Sequence, residues 1–268
     1  MNARGVASES NLAMLRRRVL WIAAGVTALT IVVGLVFRAV IDLSSGWLLV
    51  SLASLLIVFW LADANLEMNH APDREIPAPY IGLPNTITIL RGVVVAWTAG
   101  FIVLDPQLLV TSPMIGDGRA WLLTWLPAAC YGTVVTMDLA DGSLARRRGS
   151  VTALGARLDA EYDGLGILAG VTVGIIGGAI PQMYLAVGLA RYAFLAACRR
   201  REARGLPTFE LPDSRARRVL AGAQMAFILA ALSPAVGPSI ATVGAVVVGV
   251  PFLTGFVRDW LYVSGRLR

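Results

Sequence analysis

The sequence is poor in the residues from which soluble enzymes build active sites. It has no lysine, one histidine and two cysteines, and only 15 % of its 268 residues are charged, whereas 57 % are hydrophobic. Soluble domains carry about a quarter charged residues, so this composition excludes a large soluble catalytic domain. His70 lies in a polar stretch, which leaves little material for Ser-His triads or histidine metal sites. Cys130 and Cys198 lie in or at the end of apolar segments and are interpreted as small buried residues, not as a disulfide or thiolate site.

Long apolar runs are what the sequence has instead. A membrane-spanning helix takes roughly 20 mainly apolar residues, so a chain of this length has room for eight spans with short loops. The predicted spans are approximately 19–37, 46–62, 84–104, 120–137, 159–180, 182–198, 219–236 and 240–257. The sequence therefore predicts an all-α integral membrane protein with about eight transmembrane helices.

The distribution of arginine predicts how the chain is oriented. All 23 basic residues are arginine, the net charge is +6, and most arginines flank apolar runs. Arginine accumulates in cytoplasmic loops. If Arg16, Arg17 and Arg18 are cytoplasmic, alternate connections place most other arginines on the same side and only Arg38 and Arg119 on the opposite side. The arginines on the cytoplasmic side are then those at 74, 146–148, 157, 199–204, 215–218, 266 and 268. We therefore expect both termini in the cytoplasm at the cell (inner) membrane, and membrane orientation rather than nucleic acid explains the positive charge.

Composition also suggests a division of the chain. A polar N-terminal arm (1–18) precedes a two-helix hairpin (19–63), and a polar, proline-rich linker (64–83) follows. The remaining residues, 84–268, form a six-helix unit that carries nearly all the polar groups within predicted spans. We expect this unit to hold the working site.

Four aspartates form the strongest constellation. Asp138, Asp141, Asp159 and Asp163 fall within 26 residues, where one predicted span ends and the next begins on the cytoplasmic side. The spacings i, i+3 and i, i+4 put each pair on one helix face. Helix capping explains one or two of them, but clustered carboxylates at a membrane boundary require a cation. Oxygen ligands without cysteine or histidine suit Mg²⁺, Mn²⁺ or Ca²⁺, and phosphoryl transfer is the chemistry usual for acidic Mg²⁺ sites.

The residues around these aspartates carry a resemblance to a known family. The pattern D-x2-D-G-x2-A-R-x8-G-x3-D-x3-D begins at Asp138 and ends at Asp163, and it matches all eight fixed positions of the signature of the CDP-alcohol phosphotransferases. Upstream, Asn85-x2-Thr88-x2-Arg91 resembles the first-helix motif of the same family. The resemblance covers the six-helix unit and leaves the hairpin outside.

The resemblance implies a role for each matched residue. Asp138, Asp141 and Asp159 would ligate metal, and Asp163 would complete the second metal site and act as general base. Gly142, Ala145 and Gly155 would leave room for the nucleotide, and Arg146 would pair with its pyrophosphate. Asn85 and Arg91 are placed near the nucleotide. Two ions, Mg²⁺ or Mn²⁺, are implied.

The reaction that the resemblance implies is attack by an alcohol on the β-phosphoryl group of a CDP-linked lipid, with release of CMP, and the expected lipid is CDP-diacylglycerol. The first expectation for the product is phosphatidylglycerophosphate, and the resemblance implies a homodimer. A membrane transporter with intramembrane carboxylates is one alternative, although its acidic residues would be scattered through the spans. An inactive scaffold that keeps the motif is another.

Arginines within or beside the later spans leave a choice open. The clusters 199–204 and 215–218 either set topology, which is the more economical interpretation, or bind a phosphate of the acceptor or a lipid headgroup. Arg191 falls near the middle of a span, where an ionisable residue is a functional hypothesis by default. It either pairs with an aspartate or reaches toward the acceptor.

Overall fold

The chain is described from a computed structural model, which covers residues 3–71, 76–105, 118–148, 152–212 and 214–267, with backbone only at 3–8 and 141–148. Over these residues it forms eight α-helices and no strand. The helices are α1 (Ala3–Ile41), α2 (Ser45–Ala64), α3 (Leu83–Gly100), α4 (Gly118–Arg148), α5 (Ala153–Ile176), α6 (Leu185–Glu202), α7 (Arg215–Leu232) and α8 (Pro238–Val263). The predicted all-α fold is confirmed, and the number of helices agrees with the number predicted.

Helix starts follow local chemistry. Ser44, Thr152 and Ser214 precede α2, α5 and α7, and each side-chain oxygen accepts a backbone N–H of the first turn. Such N-caps satisfy donors that have no partner within the helix. Pro84 and Pro238 stand in the first turns of α3 and α8, where a missing N–H costs nothing.

The first helix is longer than the predicted span. It starts at Ala3 and continues without a break into the apolar run, so the segment predicted as a polar arm is helical from Ala3 onward. The stretch between Ser8 and Arg18 contains no glycine or proline and is rich in good helix formers such as Ala, Glu, Leu, Met and Arg. Polarity alone therefore did not mark the start of the helix.

Among the described residues, five helices are long and apolar enough to cross a membrane. They are α1 from Glu9, α2, α3 together with a short 3-10 turn to Val103, α4 as far as Ala140, and α8. In α5, α6 and α7, charged residues interrupt the apolar sequence: the carboxylates of α5, and the arginines at the end of α6 and the start of α7. The chain thus has the character of an α-helical membrane protein.

Two compact units divide the chain. The first consists of Met1–Leu104 and Ala129–Gly166, and the second of Asp105–Ala128 and Ile167–Arg268. In the first unit the N-terminal hairpin shares a buried core with α3 and α5. This core includes Leu15, Val19, Leu55, Val58, Ile89, Val93, Leu154, Leu158 and Tyr162. The hairpin is thus packed against the helices that carry the sequence motifs.

The second unit is held by buried polar contacts between α7, α8 and the start of α6. The Tyr184 hydroxyl donates to Gln224 Oε1, and Gln224 Nε2 donates to the Val248 carbonyl at 3.0 Å. A Cβ at Gly249 would lie 2.8 Å from the Tyr184 ring, so this ring packs directly against the backbone of α8. Near its end, α8 carries Asp259, which pairs with Arg217 at 3.3 Å.

Candidate active site

A buried arginine lies at the centre of the first unit. Arg91 is in the middle of α3, and its side chain is only 1 % exposed. Its guanidinium pairs with Asp138 of α4, and its Nη2 donates to Asp159 Oδ1 of α5 at 2.6 Å. Asp163 Oδ1 lies 3.3 Å from Nη1. Three motif carboxylates from two helices therefore share one guanidinium supplied by a third.

The three carboxylates form one cluster. One oxygen from each of Asp138, Asp159 and Asp163 lies within 4.8 Å of the others. Their side chains are between 28 % and 45 % exposed, so the cluster lies at the edge of the protein interior rather than deep within it. Part of each carboxylate side chain is thus accessible, although Asp163 Oδ1 itself is buried.

Close packing explains how the three helices bring these side chains together. A Cβ at Gly92, the residue after Arg91, would lie 2.9 Å from Val58 of α2 and 3.0 Å from the ring of Tyr162. Tyr162 is fully buried, and its hydroxyl donates to the Val58 carbonyl at 3.0 Å. Because Tyr162 precedes Asp163 directly, this contact fixes the turn of α5 from which the carboxylates project.

The first turn of α5 forms a second part of the candidate site. Asn85, at the start of α3, is buried, and its amide lies 2.9 Å (Nδ2) and 3.0 Å (Oδ1) from Thr152 Oγ1. The Thr152 hydroxyl also accepts the Gly155 N–H at 3.0 Å. A Cβ at Gly155 would lie 2.6 Å from Asn85 Oδ1. Asn85 and Gly155, which the sequence assigned to one nucleotide site, are therefore direct neighbours.

Four motif residues fall in the part of α4 whose side chains the structure does not describe. They are Asp141, Gly142, Ala145 and Arg146, and their backbone is helical. Their predicted roles lie outside the described residues and stay predictions. Arg191 belongs to α6 in the second unit and is partly buried, and its role also stays a prediction.

The charge and chemistry of the cluster fit a divalent cation. Three carboxylates face one guanidinium, so the group retains a net negative charge when all three are ionised. The donors are oxygens only, which is the ligand type that Mg²⁺, Mn²⁺ and Ca²⁺ prefer. The residues present thus suit a hard divalent cation.

The structure gives Arg91 a place among the carboxylates, which the sequence motif did not predict. The predicted place of Arg91 near the nucleotide is compatible with these contacts and stays a prediction. The sequence does contain a signal for the contact with the carboxylates, because an arginine inside an apolar helix needs an acidic partner. The sequence analysis did not identify Tyr162 or Thr152 as part of the site. The only signal for them is that they lie close in sequence to motif residues.

Together, an α-helical membrane fold and a carboxylate cluster that suits a hard cation define a membrane protein with an acidic cation site. The family model of the CDP-alcohol phosphatidyltransferases matches residues 81–256, well over half of the chain. The chain therefore belongs to the CDP-alcohol phosphatidyltransferase family. No curated protein and no solved structure matches it.

Membership establishes the general chemistry. The family consists of membrane enzymes of phospholipid synthesis that transfer a substituted phosphate group from a CDP-alcohol to an alcohol acceptor, and it is generally dependent on divalent metal. The chain is accordingly an enzyme of this transferase class. The matched region contains α3 to α7 and most of α8, and it includes every residue of the carboxylate cluster.

Proposed function

We propose that this enzyme transfers the phosphatidyl group of CDP-diacylglycerol to a small alcohol and releases CMP. The observation that supports this most is the convergence of three motif carboxylates from α4 and α5 on one face of the first unit, where their oxygens lie within 4.8 Å of one another. Phosphatidylglycerophosphate is the product we propose first, with glycerol 3-phosphate as acceptor.

The chain's own residues would divide the work as follows. Asp138, Asp141 and Asp159 hold divalent metal, and Asp163 both ligates metal and takes the proton of the acceptor hydroxyl. Proton removal makes the hydroxyl oxygen nucleophilic at the moment when its bond to phosphorus forms. The proton then resides on Asp163 until solvent removes it.

The nucleotide would occupy the adjacent part of the site. Gly142, Ala145 and Gly155 leave space for the cytidine group, and Arg146 pairs with the pyrophosphate through its planar fork. Asn85, in contact with Thr152 and close to Gly155, shapes this end. Arg91 holds the carboxylates together before substrate binds.

The metal we propose is Mg²⁺ or Mn²⁺, as a pair of ions. When bound, such ions polarise the phosphoryl group and stabilise the charge on the departing CMP. The proposed setting is the cell membrane, with both termini and the site facing the cytoplasm, where CDP-linked precursors are made, and with a second copy of the chain completing a homodimer.

A CMP-release assay tests the proposal. Purified protein in detergent micelles receives CDP-diacylglycerol, Mg²⁺ and one acceptor at a time: glycerol 3-phosphate, inositol phosphate, inositol, serine or a phospholipid. We expect CMP release with glycerol 3-phosphate and loss of turnover with a chelator. Release with a different acceptor replaces the proposed product, and no release with any acceptor favours an inactive scaffold.

A further inference from the structure

The linker before the family region is joined to the candidate nucleotide end by one buried asparagine. Asn69 lies outside the matched residues 81–256 and is 1 % exposed. Its Nδ2 donates to the carbonyls of Ala78 at 3.2 Å and Tyr80 at 2.9 Å. Its backbone carbonyl accepts the Ala78 N–H at 2.8 Å. Asn69 thus joins the beginning of the linker to Ala78 and Tyr80 near its end.

The same side chain reaches the first turn of α3. Asn69 Oδ1 accepts a hydrogen bond from Asn85 Nδ2 at 3.0 Å. Asn85 in turn contacts Thr152 Oγ1, which caps α5 at Gly155. A continuous line of hydrogen bonds therefore runs from the linker through Asn85 to the start of α5.

A second contact runs beside this line. The carbonyl of His70, the next residue after Asn69, accepts the N–H of Ala153 at 3.1 Å. This N–H belongs to the first turn of α5, whose donors have no partner within the helix. The linker therefore contacts the start of α5 both through its backbone and through Asn69.

The geometry leaves little room for Asn85 to move. Its Nδ2 uses both hydrogens, one for Asn69 and one for Thr152, and its Oδ1 lies only 2.6 Å from the position that a Cβ at Gly155 would take. Removing the acceptor on Asn69 leaves a buried amide donor unsatisfied, which is costly. Asn85 would relieve this by rotating, and the contact with Gly155 would change with it.

We propose that Asn69 is a positioning residue for the CDP-linked substrate: it acts through Asn85 to fix the first turn of α5 around the cytidine nucleotide. This inference rests on the proposed function. It gives the segment that precedes the family region a part in substrate binding, whereas the carboxylate cluster itself is built from side chains of α3, α4 and α5.

The test compares Asn69→Ala with Asn65→Ala in the full-length protein. Asn65 is in the same linker, but its side chain donates only to Leu61 O at the end of α2. For Asn69→Ala we expect the KM for CDP-diacylglycerol and the Kd for CMP to rise about tenfold, with kcat within about twofold, the size expected for one buried hydrogen bond. Asn65→Ala should match the wild type in all three.

A double-mutant cycle shows whether Asn69 acts through Asn85. In an Asn85→Ala background, Asn69→Ala should add no further rise in KM. An unchanged KM in folded Asn69→Ala, or a full additional rise in the double variant, overturns the proposal.

Two further results separate other failures. If Asn69→Ala does not fold, Asn69→Ser enters the same cycle, and failure of both to fold overturns the positioning role in favour of a purely structural one. If the wild type binds no CMP and releases none, the proposed function fails, which is distinguishable from failure of this inference in an active enzyme.

Discussion

At the scale of single residues, Arg91 decides whether the carboxylate cluster can exist. Burying a guanidinium removes it from water at a cost of several kcal/mol, which only close, well-oriented counter-charges offset. Arg91 has three such partners, Asp138, Asp159 and Asp163. The carboxylates benefit equally, because without Arg91 they would repel one another at short range.

Replacement of this arginine should therefore destabilise the protein. We expect Arg91→Met to lower the free energy of unfolding by about 3 kcal/mol, since breaking a buried ion pair leaves uncompensated charge. The measurement is chemical or thermal unfolding in detergent without added metal.

Arg16→Met is the matched control for Arg91→Met. Arg16 pairs with Asp63 at 3.4 Å, and both side chains are about half exposed. Exposed ion pairs contribute less than about 1 kcal/mol. Equal unfolding free energies for the two variants would contradict the central place given to Arg91.

Asp163 carries the proposed proton transfer, so its replacement should affect turnover before stability. We expect Asp163→Asn to reduce kcat by at least about 100-fold, the lower range of general base contributions, while CMP still binds. The measurement is CMP release beside equilibrium CMP binding.

Asp63→Asn is the matched carboxylate change for that experiment. Asp63 is about half exposed and pairs only loosely with Arg16 at 3.4 Å. Its replacement should leave kcat unchanged. Turnover that survives in Asp163→Asn would show that another group takes the proton.

At the scale of helices, Gly92 allows α3 to pack closely on both α2 and α5. A Cβ at Gly92 would lie 2.9 Å from Val58 Cγ1 and 3.0 to 3.1 Å from the Tyr162 ring. Both neighbours are buried and cannot turn aside cheaply. Gly92→Ala should therefore cost about 1–3 kcal/mol of stability, as overpacking does, and should shift Arg91 enough to lower activity.

The control for Gly92→Ala is Gly222→Ala in α7. Nothing lies within 4 Å of a Cβ built at Gly222, and alanine is the better helix former by about 1 kcal/mol. Thermal unfolding in detergent should show a loss of stability for Gly92→Ala and a gain of stability for Gly222→Ala. A neutral Gly92→Ala would mean that α2 and α5 adapt easily to one added methyl group.

The sequence predicted the helices better than their ends. Apolar runs located all eight, because burial and lipid exposure both demand long hydrophobic stretches. The start of α5 was expected near Asp159 but lies at Ala153, since Thr152 supplies a cap that a hydropathy pattern does not reveal. In the same way, local helix formers extended α1 into a segment that looked merely polar.

Some features of the candidate site could be predicted from the sequence, and others could not. Spacing placed each aspartate pair on one helix face, and two antiparallel helix ends then predicted that the pairs converge. The structure shows this convergence for Asp138, Asp159 and Asp163. The contacts of Asn69 and Tyr162 join residues 16 and 104 positions apart. Such long-range pairs leave no periodic trace in one sequence, so only the folded chain reveals them.

At the scale of the whole molecule, the uneven distribution of arginine supports the proposed orientation in the membrane. The connections on the same side of the membrane as the N-terminus hold almost all arginines of the predicted loops. The connections on the other side hold only Arg38 and Arg119. Arginine-rich loops remain in the cytoplasm. If all eight helices cross, the α3–α4 connection lies outside and the α6–α7 connection inside, with the carboxylates at the inner surface.

Cysteine labelling tests this orientation. In a Cys130→Ala, Cys198→Ala background, Asp105→Cys reports on the α3–α4 connection and Arg204→Cys on the α6–α7 connection, and both positions are exposed. A membrane-impermeant thiol reagent should label Asp105→Cys in intact cells. It should label Arg204→Cys only after permeabilisation.

The reverse pattern would place the site outside, away from cytosolic CDP-linked precursors, and would contradict the proposed function as well as the orientation. Labelling of both positions in intact cells would mean that an even number of helices crosses between them, instead of the three expected. One of the less apolar helices, α5 or α6, would then lie along the membrane surface, because charged residues interrupt its apolar sequence. In that case the uneven distribution of arginine would be due to a helix on the membrane surface, and not to a pair of short cytoplasmic loops.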